Sequence, residues 1–311
     1  MLTVLKTALE VGLIYGLVAL ALFISFSILN IADLSTDGCF TLGCAVGAML
    51  TIAGHPLLAL PAAMAAGMLS GFITAFLQTR LGVESILAGI ISNTGLYTIN
   101  LAVMGFSSNV SITGRDTVFS LFKALTGGSQ WSTLVLLALL LGVIAVVLIR
   151  FFGTSLGLSI RATGDSLDMV SASSINPKAT ITIGLCLANA LTALSGCLIG
   201  EYNKFCDINL GTGMVTIALA SLIIGEVFAG RRGSVGKRVV CVVLGSIVYR
   251  FIIALALRLN ISAEYFKLVS AVIVAVAIAA PNMKDYVHLA KIRSNARKLR
   301  ALSGKGDETD A

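Results

Sequence analysis

The run "WSTLVLLALLLGVIAVVLIRFF" (residues 131–152) decides the fold class of this chain, because its only charged residue is Arg150. About 20 consecutive apolar residues in an α-helix cross the hydrocarbon core of a bilayer. Trp131, the only tryptophan of the chain, opens the run, where aromatic residues mark a membrane interface. The run therefore predicts a transmembrane helix.

Composition extends this prediction to the whole chain. Of the 311 residues, 57% are hydrophobic and only 12% are charged, and the mean hydropathy is +0.97. That charged fraction is too small to cover the surface of a soluble globule, which argues against a secreted or ribosome-bound soluble protein. At roughly 20 residues per span, the length accommodates about eight to ten helices.

Further apolar runs, separated by polar breaks, predict the other membrane segments. They cover residues 8–29, 41–54, 56–77, 85–105, 179–199, 214–229, 239–257 and 265–280. All should be helical, since an open sheet leaves backbone groups unsatisfied in lipid. We predict an all-α polytopic membrane protein with broken or re-entrant segments, in which residues 1–283 form a transmembrane domain and residues 284–311 a basic cytoplasmic tail.

Basic residues set the predicted orientation. The tail, residues 231–238 and residues 150–178 are rich in Lys and Arg, and an even number of predicted spans separates each pair of regions. All three can therefore face the cytoplasm, which places residues 106–130 outside. If the N-terminus lies inside, residues 30–54 dip in and return; if it lies outside, the second run spans. Orientation and contact with anionic lipid account for the net charge of +7, so we expect no nucleic-acid partner.

No pattern in the sequence predicts catalysis or metal binding. The six cysteines form no C-x-x-C motif and the two histidines are isolated, so the cysteines are interpreted as small apolar residues. The segment "GRRGSVGK" (230–237) lacks the spacing and the final Ser or Thr of a phosphate-binding loop. We therefore expect no cofactor in this chain.

Polar residues within or beside the apolar runs are candidates for a translocation path. They are Asn30, Asp33 and Asp37 after the first run, Glu84 and Asn93 around the fourth, and Glu226 near the end of "IALASLIIGEVFAG" (217–230). Carboxylates facing lipid are costly, so these must face protein, water or the interface. Two interpretations stay open: the residues line a path, or they cap helix ends at the interface, with Glu226 paired to Arg231 or Arg232.

The polar insert "SIRATGDSLDMVSASSINP" (159–177) interrupts the apolar pattern. Asp165 is a predicted N-cap, with Asp168 three residues later as a short-armed capping box. A helix over residues 166–174 would be about 13 Å long, too short to cross lipid. Leu167 and Val170 share one face of it and need an apolar partner, either the chain's own bundle or another subunit.

Three segments resemble the permease subunits of bacterial ABC importers of the branched-chain amino acid and ribose type. Residues 156–200 match the cytoplasmic loop and following helix of that family through Arg161-Ala162, Gly164, Ile175-Asn176 and the segment 193–196, although Ser174 stands where the family has Gly. Residues 28–50 and 217–237 are similar to two further family segments. "ADLSTDG" (32–38) and "GEVFAGRRGS" (225–234) are closest to the branch linked with aromatic amino acids.

The resemblance implies a transport subunit of the bacterial plasma membrane that is not itself an enzyme. Two such permeases, identical or different, form the channel; two ATPase subunits, which carry ATP and Mg²⁺, bind its cytoplasmic coupling helices; and an extracytoplasmic binding protein delivers the substrate. The implied coupling loop covers residues 154–177 and contains Arg161, Gly164, Asp165, Leu167, Asp168 and Val170. The alternative is a stand-alone, proton-coupled secondary transporter that uses the membrane carboxylates as a relay.

Overall fold

The computed structural model describes residues 2–230 and 233–258, together with positions 268, 271, 272 and 275. The predicted span 265–280, apart from those four positions, and the predicted tail 284–311 lie outside the described residues. The helices are α1 (Leu2–Leu22), continued by a π-helical segment (Phe23–Ile28), α2 (Thr36–Ile52), α3 (Pro56–Thr79), α4 (Ser85–Val103), α5 (Val118–Leu125), α6 (Ser132–Phe151), α7 (Ser155–Asp165), α8 (Leu167–Ala172), α9 (Pro177–Asn203), α10 (Met214–Ala229) and α11 (Val235–Arg258). Two short strands, β1 (Asn109–Ser111) and β2 (Phe205–Asp207), complete the described structure.

The all-α membrane architecture predicted from the apolar runs is confirmed. Within the described residues, six helices are long and apolar enough to cross a membrane. Each predicted run up to residue 257 coincides with a helix to within a few residues, and α10 has the predicted bounds. Helices α2 and α10 are shorter than the other apolar helices.

Helices α1 and α9 form the centre of the bundle. Most of their side chains are buried, whereas α3, α4 and α6 expose Leu, Ile, Val and Phe on their outer sides. In a membrane these outer sides face lipid or another subunit, so their exposure follows from the environment. The main hydrophobic cluster extends along α1 and reaches α6, α9 and α10.

Helices α2 and α9 touch backbone to backbone through glycines. A Cβ atom on Gly43 would lie 1.9 Å from the carbonyl oxygen of Ala193, and one on Gly196 would lie 1.9 Å from that of Phe40. One turn further along, Gly47 packs against the side chain of Cys197 and Gly200 against the side chain of Cys44. Both helices thus carry a G-x-x-x-G pair at the contact, which lets the two apolar helices approach closely.

The bundle has two distinct ends, which we call the strand end and the insert end. At the strand end, β1 pairs antiparallel with β2, with Val110 opposite Cys206. At the insert end, α7 and α8 lie between α6 and α9. Residues 106–130 and the insert therefore lie at opposite ends, as the sequence predicts.

Helix α1 runs from the strand end to the insert end. Near its start, Glu10 accepts a hydrogen bond of 2.9 Å from the hydroxyl of Tyr202, at the end of α9. After its π-helical segment, the carbonyl of Ile28 packs on Gly164 of α7. The start of the chain thus lies opposite the insert, which favours the alternative with the N-terminus on the side away from the insert.

Helices α2 and α10 both begin inside the bundle, near the midpoint of α9. Before α2, Asp33 contacts Asn189 of α9, and α2 then runs to the strand end, where Thr51 contacts Glu201. Before α10, the backbone N–H of Gly211 donates to the Thr41 hydroxyl of α2. Helix α10 runs the other way, to the insert end. Each helix covers part of the bundle's depth, so these are broken segments of the predicted kind.

Candidate functional site

The break between α2 and α10 is held by one carboxylate. The two side-chain oxygens of Asp37, in the first turn of α2, accept hydrogen bonds of 2.9 Å from the backbone N–H groups of Gly213 and Val215. These N–H groups have no partner within α10, because the first turn of any helix leaves them free. The N-termini of α2 and α10 carry partial positive charge and face the same region, so the carboxylate between them stabilises both.

A second carboxylate fixes the turn that leads into α2. One oxygen of Asp33 accepts from the backbone N–H (2.8 Å) and the hydroxyl (2.6 Å) of Ser35, and the other accepts from the side-chain amide of Asn189 (2.8 Å). Asp33 and Asn189 are 3% and 1% exposed. A buried charge requires such a set of donors. Asp37 therefore binds the start of α10 and Asp33 holds the turn before α2, and both do so inside the bundle and not at its surface.

Helix α4 borders this break on the other side of α2. A Cβ atom on Gly38 would lie 2.6 Å from the side-chain oxygen of Asn93, and the side-chain amide of Asn100 donates to the Gly38 carbonyl at 3.0 Å. Asp37 and Asn93 are both half-buried, and Thr216, which follows Val215 on α10, is exposed. The structure thus brings Asp37 and Asn93, two of the predicted path residues, to the first turn of α2, next to accessible surface.

Two other predicted path residues lie away from this break. Asn30 is exposed just after the π-helical segment and has a left-handed backbone, with φ of 56°. Glu84 is exposed immediately before α4, and its side chain makes no capping hydrogen bond. Both lie toward the insert end, so neither belongs to the cluster around Asp37.

Glu226 belongs to a third polar group, at the insert end. Its carboxylate lies 2.8 Å from a guanidinium nitrogen of Arg238 and accepts a hydrogen bond from the Ser27 hydroxyl. The guanidinium of Arg238 also stacks 5.0 Å from the ring centre of Phe23. The described ion-pair partner is therefore Arg238, in the first turn of α11; Arg231 and Arg232, which the sequence suggested, lie outside the described residues.

The insert forms two helices, which corrects the predicted capping pattern. Ser166, and not Asp165, caps α8: its extended backbone (φ −160°, ψ 111°) ends α7, and its hydroxyl accepts from the N–H of Met169 at 3.4 Å. Asp165 is the last residue of α7, so the predicted capping box between Asp165 and Asp168 is wrong. Arg161 and Gly164 lie within α7. The predicted helix over residues 166–174 is shortened to Leu167–Ala172.

The two sides of the insert differ in exposure. Val170 is 2% exposed and faces the chain's own bundle, whereas Leu167 and Met169 are 52% and 72% exposed. The outward apolar edge of α8 is therefore Leu167 with Met169, and not Leu167 with Val170. The other charged residues predicted for this surface are exposed: Arg161, Asp165 and Asp168.

The inner side of the insert contacts the π-helical end of α1. A Cβ atom on Gly164 would lie 1.8 Å from the Ile28 carbonyl oxygen, so only glycine fits at this contact. The hydroxyls of Thr163 and Thr180 join α7 to α9 at 2.8 Å. The same π-helical segment carries Ser27, which binds Glu226. Through these two contacts the π-helical segment links the insert to the ends of α10 and α11. π-Helical turns often occur at functional sites.

Two buried polar residues of the site were missed by the sequence analysis. Asn189 lies within the apolar run 179–199, where one amide among apolar residues was the available signal. Glu201 lies two residues past the predicted end of that run and is 1% exposed. It accepts from the Thr51 hydroxyl at 3.1 Å and from the backbone N–H of Val118, the first residue of α5, at 2.8 Å.

Comparison with known proteins assigns this architecture to a family. Residues 4–278 match the family described as "Branched-chain amino acid transport system / permease component". The chain is 30% identical over 295 residues to the tyrosine transport system permease protein of Clostridioides difficile (strain R20291), with 94% of this chain and 95% of that protein covered. It is 31% identical over 285 residues to the uncharacterized protein RP368 of Rickettsia prowazekii (strain Madrid E), with 91% and 99% covered. No solved structure matches the chain.

Proposed function

The chain belongs to the branched-chain amino acid transport system permease family, and from this we propose that it is the translocating subunit of an ATP-driven amino acid importer. It forms the path for the substrate and hydrolyses nothing itself. ATP and Mg²⁺ are held by separate ATPase subunits, and a second permease copy, identical or related, completes the channel. The similarity to a tyrosine transport permease supports an amino acid, and within that class an aromatic one, as substrate.

The observation that carries this proposal is the position of the insert. Its outer edge, Leu167 and Met169, is exposed, while Gly164 on its inner side is locked against Ile28. An ATPase subunit bound to the outer edge can therefore move the end of α1 through the contact between Gly164 and Ile28. This movement does not require α8 to pass through lipid. The insert acts as the coupling element.

The route from the insert to the break is short. The π-helical end of α1 leads through residues 29–35 into α2, and Asp37 in the first turn of α2 holds the start of α10. A displacement of Ile28 therefore changes the tilt of α2 against α10. Alternating access then needs two arrangements of these half-length helices, with ATP binding and hydrolysis on the partner selecting between them.

The charge distribution supports a cytoplasmic insert end. Arg150, Arg161, Lys178 and Arg238 all lie toward this end. Basic residues are retained on the cytoplasmic side, so in the bacterial plasma membrane the strand end faces outward and receives the binding protein. The predicted C-terminal tail would then be cytoplasmic.

The alternative of a proton-coupled secondary transporter has less support. A relay needs carboxylates that are free to take up and release a proton. Asp33, Asp37 and Glu226 instead accept hydrogen bonds from backbone, amide or guanidinium groups that hold helix ends together. These contacts support a structural role for the three carboxylates. Glu84, the fourth carboxylate of this alternative, is exposed before α4 and lies away from the break.

The experiment that tests the proposal replaces Leu167 and Met169 with Asp in the tagged chain, purified in mild detergent from its native cell. Wild-type protein should carry a stoichiometric ATPase with a phosphate-binding loop, identified by mass spectrometry. The double variant should lose that partner and the substrate-stimulated ATP hydrolysis. Because both side chains are exposed, its thermal unfolding should remain that of the wild type.

The matched control is Leu125→Asp, an exposed leucine at the strand end. It should retain the ATPase. If the wild-type chain is recovered without an ATPase, and uptake collapses with the proton gradient, the importer proposal is overturned. If the double variant retains the ATPase, α8 is not the coupling helix.

A further inference from the structure

The exposed side of α4 carries polar side chains at membrane depth. Thr94 is the middle residue of this helix, and Tyr97 and Thr98 follow one turn later. All three are exposed, Tyr97 by 52%. At 1.5 Å per residue, Thr98 lies about 6 Å from the middle of α4, well inside a hydrocarbon core about 30 Å thick.

Most of these polar groups have no partner within the described part of the chain. There, the side chains of Asn93, Tyr97 and Thr98 form no hydrogen bond. The Thr94 hydroxyl donates to the carbonyl of Ile90, one turn earlier, at 2.9 Å. An amide or hydroxyl without a hydrogen bond is costly away from water, and lipid tails offer no partner. This side of α4 is therefore poorly suited to contact with lipid.

The exposed sides of α3 and α6 have the composition that lipid contact requires. Every exposed residue of α3 is apolar, and so is every exposed residue of α6 except Arg150 near its end. Large side chains dominate both surfaces: Met68, Leu69, Phe72, Ile73 and Phe76 on α3, and Val135, Leu139, Val143, Val146 and Val147 on α6. The hydroxyls at the middle of α4 therefore indicate a different environment for that helix.

The polar row on α4 begins at the break between α2 and α10. Asn93 packs against Gly38 in the first turn of α2, where an added Cβ atom would lie 2.6 Å from the Asn93 side-chain oxygen. Tyr97 follows Asn93 by four residues, so the two side chains lie on the same face. Helix α4 continues to the strand end, where Met104 contacts Cys206 of β2. The row therefore leads from the break toward the strand end.

Toward the insert end, the same side of α4 becomes apolar. Its exposed residues there are Ile86, Leu87, Ile90 and Ile91, which are 43–53% exposed. The change from apolar to polar falls between Ile91 and Asn93, at the level of the break. The exposed side of α4 thus has a polar half toward the strand end and an apolar half toward the insert end.

We propose that this side of α4 lines the substrate path, which it shares with the second permease copy. The polar half bounds a water-filled vestibule that receives a zwitterionic amino acid, and the apolar half packs on the second copy as a seal. The inference rests on the proposed function, since it takes the strand end as the outer side. Amide and hydroxyl groups can bind the ammonium and carboxylate of the substrate, and the Tyr97 ring can pack on an aromatic side chain.

The test measures how fast introduced cysteines react with a charged, membrane-impermeant methanethiosulfonate reagent in spheroplasts that contain the complete transporter. The thiolate is the reactive form and apolar surroundings suppress it, so a cysteine that faces lipid reacts slowly. Thr94→Cys and Thr98→Cys should react on the order of tenfold faster than Val143→Cys, a lipid-facing control near the middle of α6. Cys186→Ser is the starting variant, because the other five native cysteines are buried.

Further readouts connect this reaction to transport. The charged group attached at Thr98→Cys should block tyrosine uptake, and L-tyrosine in excess should slow its attachment. Val143→Cys should keep its uptake after the same treatment. Ile90→Cys, within the seal, should react as slowly as Val143→Cys. Thermal unfolding of each variant, and equal reaction of all of them after denaturation, exclude folding defects and missing thiols.

Three results would overturn the proposal. Reaction of Thr98→Cys as slow as that of Val143→Cys would exclude the vestibule, and rapid reaction of Ile90→Cys would exclude the seal. Disulfide cross-linking of Thr98→Cys between two copies, without reaction with the reagent, would show a packed interface in place of the vestibule. Failure of the importer proposal is a separate result, because it appears as a wild-type chain purified without an ATPase, whatever the reactivity of these cysteines.

Discussion

Asp37 and Val215 are 178 residues apart in sequence, yet the carboxylate of the first accepts the backbone N–H of the second at 2.9 Å. This contact, with its companion at Gly213, joins the N-terminus of α2 to the N-terminus of α10 inside the bundle. Both helices run away from the contact, one to each end. A change at Asp37 should therefore affect both α2 and α10.

We predict that Asp37→Ala impairs transport more than it impairs folding. Loss of a helix cap costs about 0.5–2 kcal/mol, which lowers the unfolding temperature by several degrees. Two helix N-termini are then left facing each other without a counter-charge, so amino acid uptake should fall by at least an order of magnitude. The measurements are thermal unfolding in detergent and uptake in cells that contain the complete transporter.

Asp37→Asn and Asp116→Ala serve as comparisons. The asparagine keeps one acceptor and should retain an intermediate rate. Asp116 is an exposed residue before α5, and its removal should change neither quantity. Wild-type uptake by Asp37→Ala would show that the contact is dispensable for transport.

The buried pair Asp33 and Asn189 should contribute mainly to stability. Asn189→Leu leaves one oxygen of a buried carboxylate without its donor, which costs about 1–3 kcal/mol or more. Asp33→Asn removes the charge. It should lower the free energy of unfolding less in the Asn189→Leu background than in the wild type. A double-mutant cycle, measured as free energy of unfolding in a denaturant titration, reports this coupling. Additive effects of the two changes would contradict the structure.

Gly164→Ala should uncouple ATP hydrolysis from uptake. The new methyl group would overlap the Ile28 carbonyl, so α7 must move away from the π-helical end of α1. ATPase binding through Leu167 and Met169 should persist, because that edge is on the other side of the insert. The check is the ratio of ATP hydrolysed to amino acid transported, which should rise.

The matched control for this variant is Gly142→Ala in α6, where a Cβ atom meets nothing within 4 Å. It should leave the ratio unchanged, and helix propensity favours alanine at that position. If Gly164→Ala also shows an unchanged ratio, the route through Ile28 is not the coupling route.

Glu201 should hold α5 against the bundle. Glu201→Ala removes the acceptor for the first N–H of α5, so α5 should open locally and more often. Trypsin added to right-side-out spheroplasts should then cut at exposed Lys123 faster, on the order of tenfold for a loss near 1.4 kcal/mol. Glu201→Gln keeps one acceptor, so its cleavage rate should lie between those of the wild type and Glu201→Ala. Equal cleavage of all three proteins would show that α5 is held by its apolar contacts alone.

The sequence predicted the membrane helices well, because length and apolar content reflect a constraint that lipid imposes on each segment separately. It also singled out Asp33, Asp37, Asn93 and Glu226 as polar residues in an apolar environment. It could not tell a cap at the surface from a cap inside the bundle. That distinction depends on the level at which α2 begins relative to α9, a property of tertiary packing.

The insert shows a second limit of prediction from sequence. Both Asp165 and Ser166 are good N-cap residues, and propensity alone does not separate them. The choice falls on Ser166 because α7 continues through Asp165, held by the cap at Thr154 and by packing of Ile160 and Thr163. Likewise, Leu167 and Val170 share a helical face by spacing, but only the position of α8 against α9 decides which of them is covered.

The glycine contact between α2 and α9 also limits how the subunit can change shape. Where Gly43 meets Ala193 and Gly196 meets Phe40, no side chain lies between the two backbones that could change rotamer or be compressed. At these two contacts the helices cannot approach each other further, so we expect α2 and α9 to move together. We therefore expect any change in the tilt of α2 against α10 to carry α9 along with α2.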